Sequence, residues 1–222
     1  MKKILILFFF VSNFTFAQGI ITKNLGDFNE IKVYRGLTVE LIKSRSPKIV
    51  IEGDKSKEVI VKNVNGVLKI SLSVLETFSA DEVKIFLHYS EDINVIEANE
   101  GSVIKSEHKI KQEKIEIISE EAAQINLTLK TTYVEVRVNT GAQITLEGSS
   151  INQDVVGYTG GIYNGDDLKT DYTNITSSTG AVITINASKL VDANAKLGGS
   201  ININGDPDEI KKKESLGGYV KD

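Results

Sequence analysis

A repeat of about nineteen residues governs the second half of this chain. Seven small residues stand in one column: Gly101, Ala122, Gly141, Gly160, Gly180, Gly198 and Gly217, at intervals of 21, 19, 19, 20, 18 and 19. Each is followed by another small residue, from Ser102 and Ala123 to Gly199 and Gly218. Three places after these anchors stand Ile104, Ile125, Ile144, Tyr163, Ile183 and Ile201. Five places after stand Ser106, Leu127, Leu146, Gly165, Ile185 and Ile203, and between the two columns stand Lys105, Asn126, Thr145, Asn164, Thr184 and Asn202. Apolar, polar, apolar at period two is a strand with alternate residues entering an interior. Five places before the anchors a further inward column runs Ile96, Ile117, Val136, Val155, Ile175, Ala193.

One such coil cannot bury its own apolar face, so the coils must stack, their strands about 4.8 Å apart. Each fully buried Ile or Leu then contributes roughly 1.5–3 kcal/mol. Where Tyr163 replaces Ile, Gly165 replaces Leu, so a large and a small residue share the volume of one layer. The reading is an all-β chain whose residues 91–222 form a β-solenoid with a C-terminal cap.

Residues 18–90 read as short alternating strands between turn signals, an N-terminal antiparallel β region that caps the solenoid. Val59-Ile60-Val61 leads through Asn65-Gly66 to Val67-Leu68-Lys69-Ile70, the pattern of a hairpin with a tight Asn-Gly turn. At the far end Gly205-Asp206-Pro207 breaks the stack, and the charged stretch with Lys211-Lys212-Lys213 protects its edge. Residues 1–17 have the form of a cleaved signal peptide: Lys2-Lys3, an apolar run from Ile4 to Val11, then Thr15-Phe16-Ala17 before Gln18. That run is too short to span a bilayer, which takes about 20 residues. The mature chain is therefore expected to be exported, to the periplasm, the outer surface or the medium, with no transmembrane segment.

Without Lys2 and Lys3 the 26 basic residues fall to 24 against 30 acidic ones, a net charge of −6. A nucleic-acid partner, which needs basic patches, is not expected. There is no cysteine, and the two histidines, His88 and His108, stand apart, so neither disulfides nor a zinc site is expected. No nucleophile elbow or phosphate-binding glycine loop occurs, and no cofactor is expected.

The sequence resembles the head GIN domain family, exported bacterial proteins described as auto-transporter adhesins. The likeness rests on Phe28-Asn29-Glu30-Ile31, Ile51-Glu52-Gly53-Asp54, Asn65-Gly66-Val67-Leu68-Lys69-Ile70 and the recurrent Thr-Gly-Ala steps. Ile201-Asn202-Ile203-Asn204-Gly205-Asp206-Pro207 and Gly217-Gly218 complete it, with Ile203 where the family usually carries Tyr. The resemblance implies a right-handed single-stranded β-helix with an antiparallel N-terminal part, in the envelope of a Gram-negative type of bacterium. With no barrel-forming strands after residue 222, self-transport across an outer membrane is not expected of this chain.

Two groups of residues are candidates for binding. Six places before the anchors lies a column of oxygen-bearing side chains, Glu116, Glu135, Asp154, Asn174 and Asp192. Their inward neighbours put them on solvent, where Glu135, Asp154 and Asp192 suit Ca²⁺ or a cationic or hydroxylated ligand. The plainer expectation is turn geometry and solubility, with Arg137 on the same face relieving repulsion. The second group, Asp166, Asp167 and Asp171 with Tyr158 and Tyr172, is a sugar-stacking and acid/base neighbourhood if two carboxylates converge; turn chemistry accounts for the same residues. Lys105, Lys109, Lys111 and Lys114 read as a solvated face. The expected function is a non-catalytic envelope protein that binds a glycan, peptide or envelope component. The alternative is a weak carbohydrate-active enzyme, a polysaccharide lyase or hydrolase on a β-helix scaffold.

Overall fold

The computed structural model describes residues 19–73 and 83–222. The expected signal peptide lies outside the described residues. Among the described residues eighteen strands join in one sheet that wraps around a single core. In the repeat region the chain builds β8 (Val95–Ala98), β9 (Val103–Lys105), β10 (Ile110–Lys111), β11 (Lys114–Ser119), β12 (Gln124–Val138), β13 (Gln143–Gly157), β14 (Ile162–Ser178) and β15 (Val182–Lys196). It ends with β16 (Ser200–Gly205), β17 (Glu209–Ser215) and β18 (Tyr219–Lys221). All of their mutual pairings are parallel. The fold is a β-solenoid.

The columns read from the sequence are the registers of these pairings. Ile104, Ile125, Ile144, Tyr163, Ile183, Ile201 and Val220 lie over one another on one face, and all are buried. On a second face Ile96, Ile117, Val136, Val155, Ile175 and Ala193 do the same. Each of β12 to β15 is 15 or 17 residues long and contributes to both faces. Between the two faces lies a short third one, where Ile110 pairs with Leu129, Leu129 with Gly148 and Gly148 with Leu168. Ser106 departs from its apolar column: its hydroxyl donates to the Leu41 and His108 carbonyls at the surface instead.

The corners at the anchors are stacked type I′ turns. Both central residues take positive φ, as in Thr140 (51°) and Gly141 (69°), or Thr159 (44°) and Gly160 (71°). The Ala142 N–H closes the turn on the Asn139 carbonyl at 3.1 Å, and the Gly141 N–H bonds outward to the Thr159 carbonyl of the next coil, also at 3.1 Å. The anchor is Gly because two successive left-handed residues are costly for side chains. The residue after it is small for a different reason. A Cβ on Gly161 would stand 2.6 Å from the Val138 carbonyl oxygen of the preceding coil.

Residues 19–90 differ from a purely antiparallel cap. The antiparallel strands are β1 (Ile20–Asn24), β4 (Lys48–Glu52) and β5 (Val59–Val64): β1 pairs with β4, β4 with β7 and β5 with β6. The Asn65-Gly66 turn joins β5 to β6 (Val67–Leu72) as expected, with φ of 53° and 82°. The others continue the stack itself. β2 (Glu30–Val33) pairs in parallel with both β6 and β8, and β3 (Thr38–Lys43) pairs in parallel with both β7 (Lys84–Tyr89) and β9. The core columns therefore begin at Leu68 and Ile31 on one face and at Ile85 and Val39 on the other. Arg35-Gly36 is one more corner of the same kind, with φ of 63° and 69°. Among the described residues no helix is long and apolar enough to cross a membrane.

Candidate functional site

The oxygen-bearing column is in register as read: Glu116, Glu135, Asp154, Asn174 and Asp192 lie on successive strands of the second face. Above them Val95 replaces the acid, and below them Lys211 opposes Asp192. The side chains are largely occupied with each other. The Arg137 guanidinium donates to Glu135 at 2.6 Å and lies 3.5 Å from Glu116, so one positive charge offsets part of the repulsion between two neighbours. That hydrogen bond is the main reason the Arg137 pKa stands above its ordinary value. Asp154 accepts the Tyr133 hydroxyl at one oxygen and the Asn174 amide, at 2.8 Å, at the other. The bond to Asp154, before burial, pushes the Tyr133 phenol up to about 12.

This leaves little for calcium, which takes six to eight oxygen ligands. Glu135 and Asp154 already have partners, and Asp192 is two strands from Asp154, about 10 Å at sheet spacing. Among the described residues no group of three or more His, Cys, Asp or Glu side chains is disposed to hold a metal ion.

The second group is not one neighbourhood. Tyr172 opposes Asn152 near the start of the second-face segment, whereas Tyr158 follows its end at Gly157. Six residues of strand, about 20 Å, separate those two levels. Both rings are exposed. Asp171 accepts the Lys189 ammonium at 2.9 Å and the Ser188 hydroxyl at 3.1 Å. The Lys189 bond, then the Ser188 bond, hold its carboxyl below the ordinary range. Lys189 also lies 5.3 Å over the Tyr172 ring. Asp166 is held elsewhere: it accepts the Asn204 amide at 2.6 Å, two coils on. Asp166 and Asp167 sit where β14 bulges outward between Gly165 and Lys169, and both are exposed. All three aspartates lie on β14 itself and not in a turn. None of the carboxylates is buried in apolar surroundings, the condition that raises a carboxyl pKa for general-acid work.

His88 lies on β7 between β3 and β4, partly buried, and burial with the nearby Lys48 charge lowers its pKa. The outward Asn and Thr column is in register, with one bond along it from the Asn202 amide to the Thr184 hydroxyl at 3.4 Å.

The structure adds a groove that the sequence did not announce. It follows the corner where the third face turns into the second, over coils from Lys111 to Ser188, and holds about 870 Å³ of open volume. Its hydroxyl floor is built from Thr131, Ser150 and Thr170, all buried and bonded within the coils. Lysines from several coils rim it.

Residues 27–207 match the family described as "Putative auto-transporter adhesin, head GIN domain", and the chain belongs to that family. Solved structures share its fold. A "putative adhesin" from Bacteroides fragilis superposes with a TM-score of 0.81 at 19% identity, covering 91% of this chain and 96% of that one. A "putative adhesin" from Parabacteroides distasonis gives 0.74 at 16%, covering 92% and 96%. A "putative lipid binding protein" from the same organism gives 0.70 at 17%, again covering 92% and 96%. No curated protein matches the chain.

Proposed function

We propose that the mature chain, exported after cleavage before Gln18, is a non-catalytic binding module of the cell envelope. It presents stacked, flat β faces to a glycan, a peptide or another envelope component. The observation that carries this reading is the register of outward side chains from coil to coil. Lys105, Asn126, Thr145, Asn164, Thr184 and Asn202 form a straight polar ladder that any repeating partner can meet. The carboxylates suited to catalysis are spread over separate contacts, Asp171 on Lys189 and Asp166 on Asn204. The family's description as an auto-transporter adhesin supports an adhesive role.

The test is a binding screen of the mature chain against glycans, peptidoglycan fragments and outer-membrane components, with acidic polysaccharides also assayed for new reducing ends and unsaturated products. Saturable binding without product is the expected result. Turnover that disappears in Asp167→Ala would overturn the reading in favour of a carbohydrate-active enzyme. For export, the mass of the protein recovered outside the cytoplasm should correspond to a chain starting at Gln18.

A further inference from the structure

We propose that the corner groove is a binding site for an extended anionic polysaccharide lying along the stack. This deepens the binding-module reading and rests on it. Three lysines enter the groove from different coils at equivalent levels. Lys111 pairs in register with Lys130, Lys130 with Ser149, Ser149 with Lys169 and Lys169 with Asn186. The five positions cover four strand spacings, about 19 Å. All three lysines are exposed, and none takes part in an ion pair among the described residues. Of the two carboxylates in the lining, one is already engaged. Asp171, on the same wall, is taken by Lys189, which leaves Glu113 as the other carboxylate of the lining.

Like charges on adjacent strands repel, so Lys111 beside Lys130 is an arrangement that an anion relieves. Some basic side chains elsewhere are matched, as Arg137 is with Glu116 and Glu135, Lys105 with Glu40 and Lys32 with Glu97. Others, such as Lys62 opposite Lys69, are not matched among the described residues and lie outside any such groove. In the groove, three lysines without an ion pair converge on one lined cleft. Its other groups suit a sugar chain. Thr132, Ser149, Ser188 and Asn186 offer hydroxyl and amide contacts, and Ile151 offers an exposed apolar patch under a ring. Three cations on an acidic protein are too few for duplex nucleic acid, whose affinity comes from many phosphate contacts.

The test titrates the mature chain, from residue 18, with polygalacturonate and with neutral dextran by calorimetry at low and at physiological salt. Lys111→Gln/Lys130→Gln/Lys169→Gln is compared with an equal charge change at the opposite end of the stack, Lys62→Gln/Lys69→Gln/Lys84→Gln, with circular dichroism confirming that both variants fold. Binding of polygalacturonate that weakens with salt, and falls roughly tenfold or more in the groove variant alone, is the expected result. Equal loss in both variants, or none in either, overturns the groove assignment and leaves the binding-module reading standing. So does stronger binding to vesicles of anionic phospholipid or to duplex DNA than to polygalacturonate. If neither polygalacturonate nor any component of the wider screen binds, both readings fall together.

Discussion

At the corners, two neighbouring glycines do different work, and substitution separates them. Gly141 has a φ of 69° and nothing within 4 Å of where a Cβ would stand, so Gly141→Ala meets conformational strain alone. Ala122 already occupies the equivalent place with a φ of 61°, which shows that the fold tolerates that strain. We expect Gly141→Ala to cost about 1 kcal/mol. Gly161→Ala should cost more, about 3 kcal/mol, because its methyl group meets Val138 backbone. This coil must adjust locally before it can hold the alanine that Ala142 and Ala181 supply at the equivalent place. Thermal or urea unfolding of the two variants checks the ordering. The Tyr163 layer offers a second test. A Cβ on Gly165 would lie 2.5 Å from the Tyr163 hydroxyl oxygen, so the two residues share one volume. Gly165→Leu alone should be strongly destabilising, and adding Tyr163→Ile should recover part of the loss. A double-mutant cycle should give a coupling of about 1–3 kcal/mol. Recovery stays partial because Tyr163→Ile removes the hydroxyl that Gln153 donates to.

At the level of the strands, the oxygen-bearing stripe is held by bonds that cross from coil to coil, and its titration should show this. Tyr133 donates to Asp154 of the next coil, and its pKa is raised from 10.0 to about 12. A folded-state pKa above the unfolded one means that the proton is held more firmly in the fold. The bond's contribution to stability is therefore complete below about pH 10 and is lost as pH rises through about 12. Asp154→Asn removes the charge, so Tyr133 should titrate closer to 10 in that variant, measured by phenolate absorbance. An unchanged titration curve would contradict the bond. The stripe was legible in the sequence because it keeps a constant offset from the anchors, and Arg137 was visible beside it. The bond from Tyr133 was not, because it joins residues separated by 21 positions and diagonal across the sheet. The groove lysines escaped for a related reason. The connection from β9 to β10 puts Lys111 ten places after Gly101, and Lys130 stands eight after Ala122. The register shift between Thr145 and Gly148 puts Lys169 nine after Gly160, so the three keep no fixed distance from their anchors.

Over the whole molecule, the sequence carried the stack most plainly where coil follows coil without interruption, from Gly101 onward. The same rule applies around Gly36: Ile31 stands five places before it, and Val39 and Leu41 stand three and five after, all buried. That first corner is hidden because β4, β5, β6 and β7 intervene before the next one, and β6 and β7 stack on the opposite side of β2 and β3 from β8 and β9. Sequence order and spatial order diverge there, and periodicity along one chain does not reveal it. Every surface described above depends on the coils being aligned. The absence of cysteine makes that alignment directly measurable. Pairs of spin labels on Asn126 and Asn164, Asn126 and Thr184, and Asn126 and Asn202 span two, three and four coils of one outward ladder. Electron–electron dipolar spectroscopy should give separations that grow in even steps of about 4.8 Å, to about 19 Å for the last pair. Distances that fail to increase with coil number, or that jump by more than a strand spacing between successive pairs, would contradict the stacked register and with it both proposed surfaces.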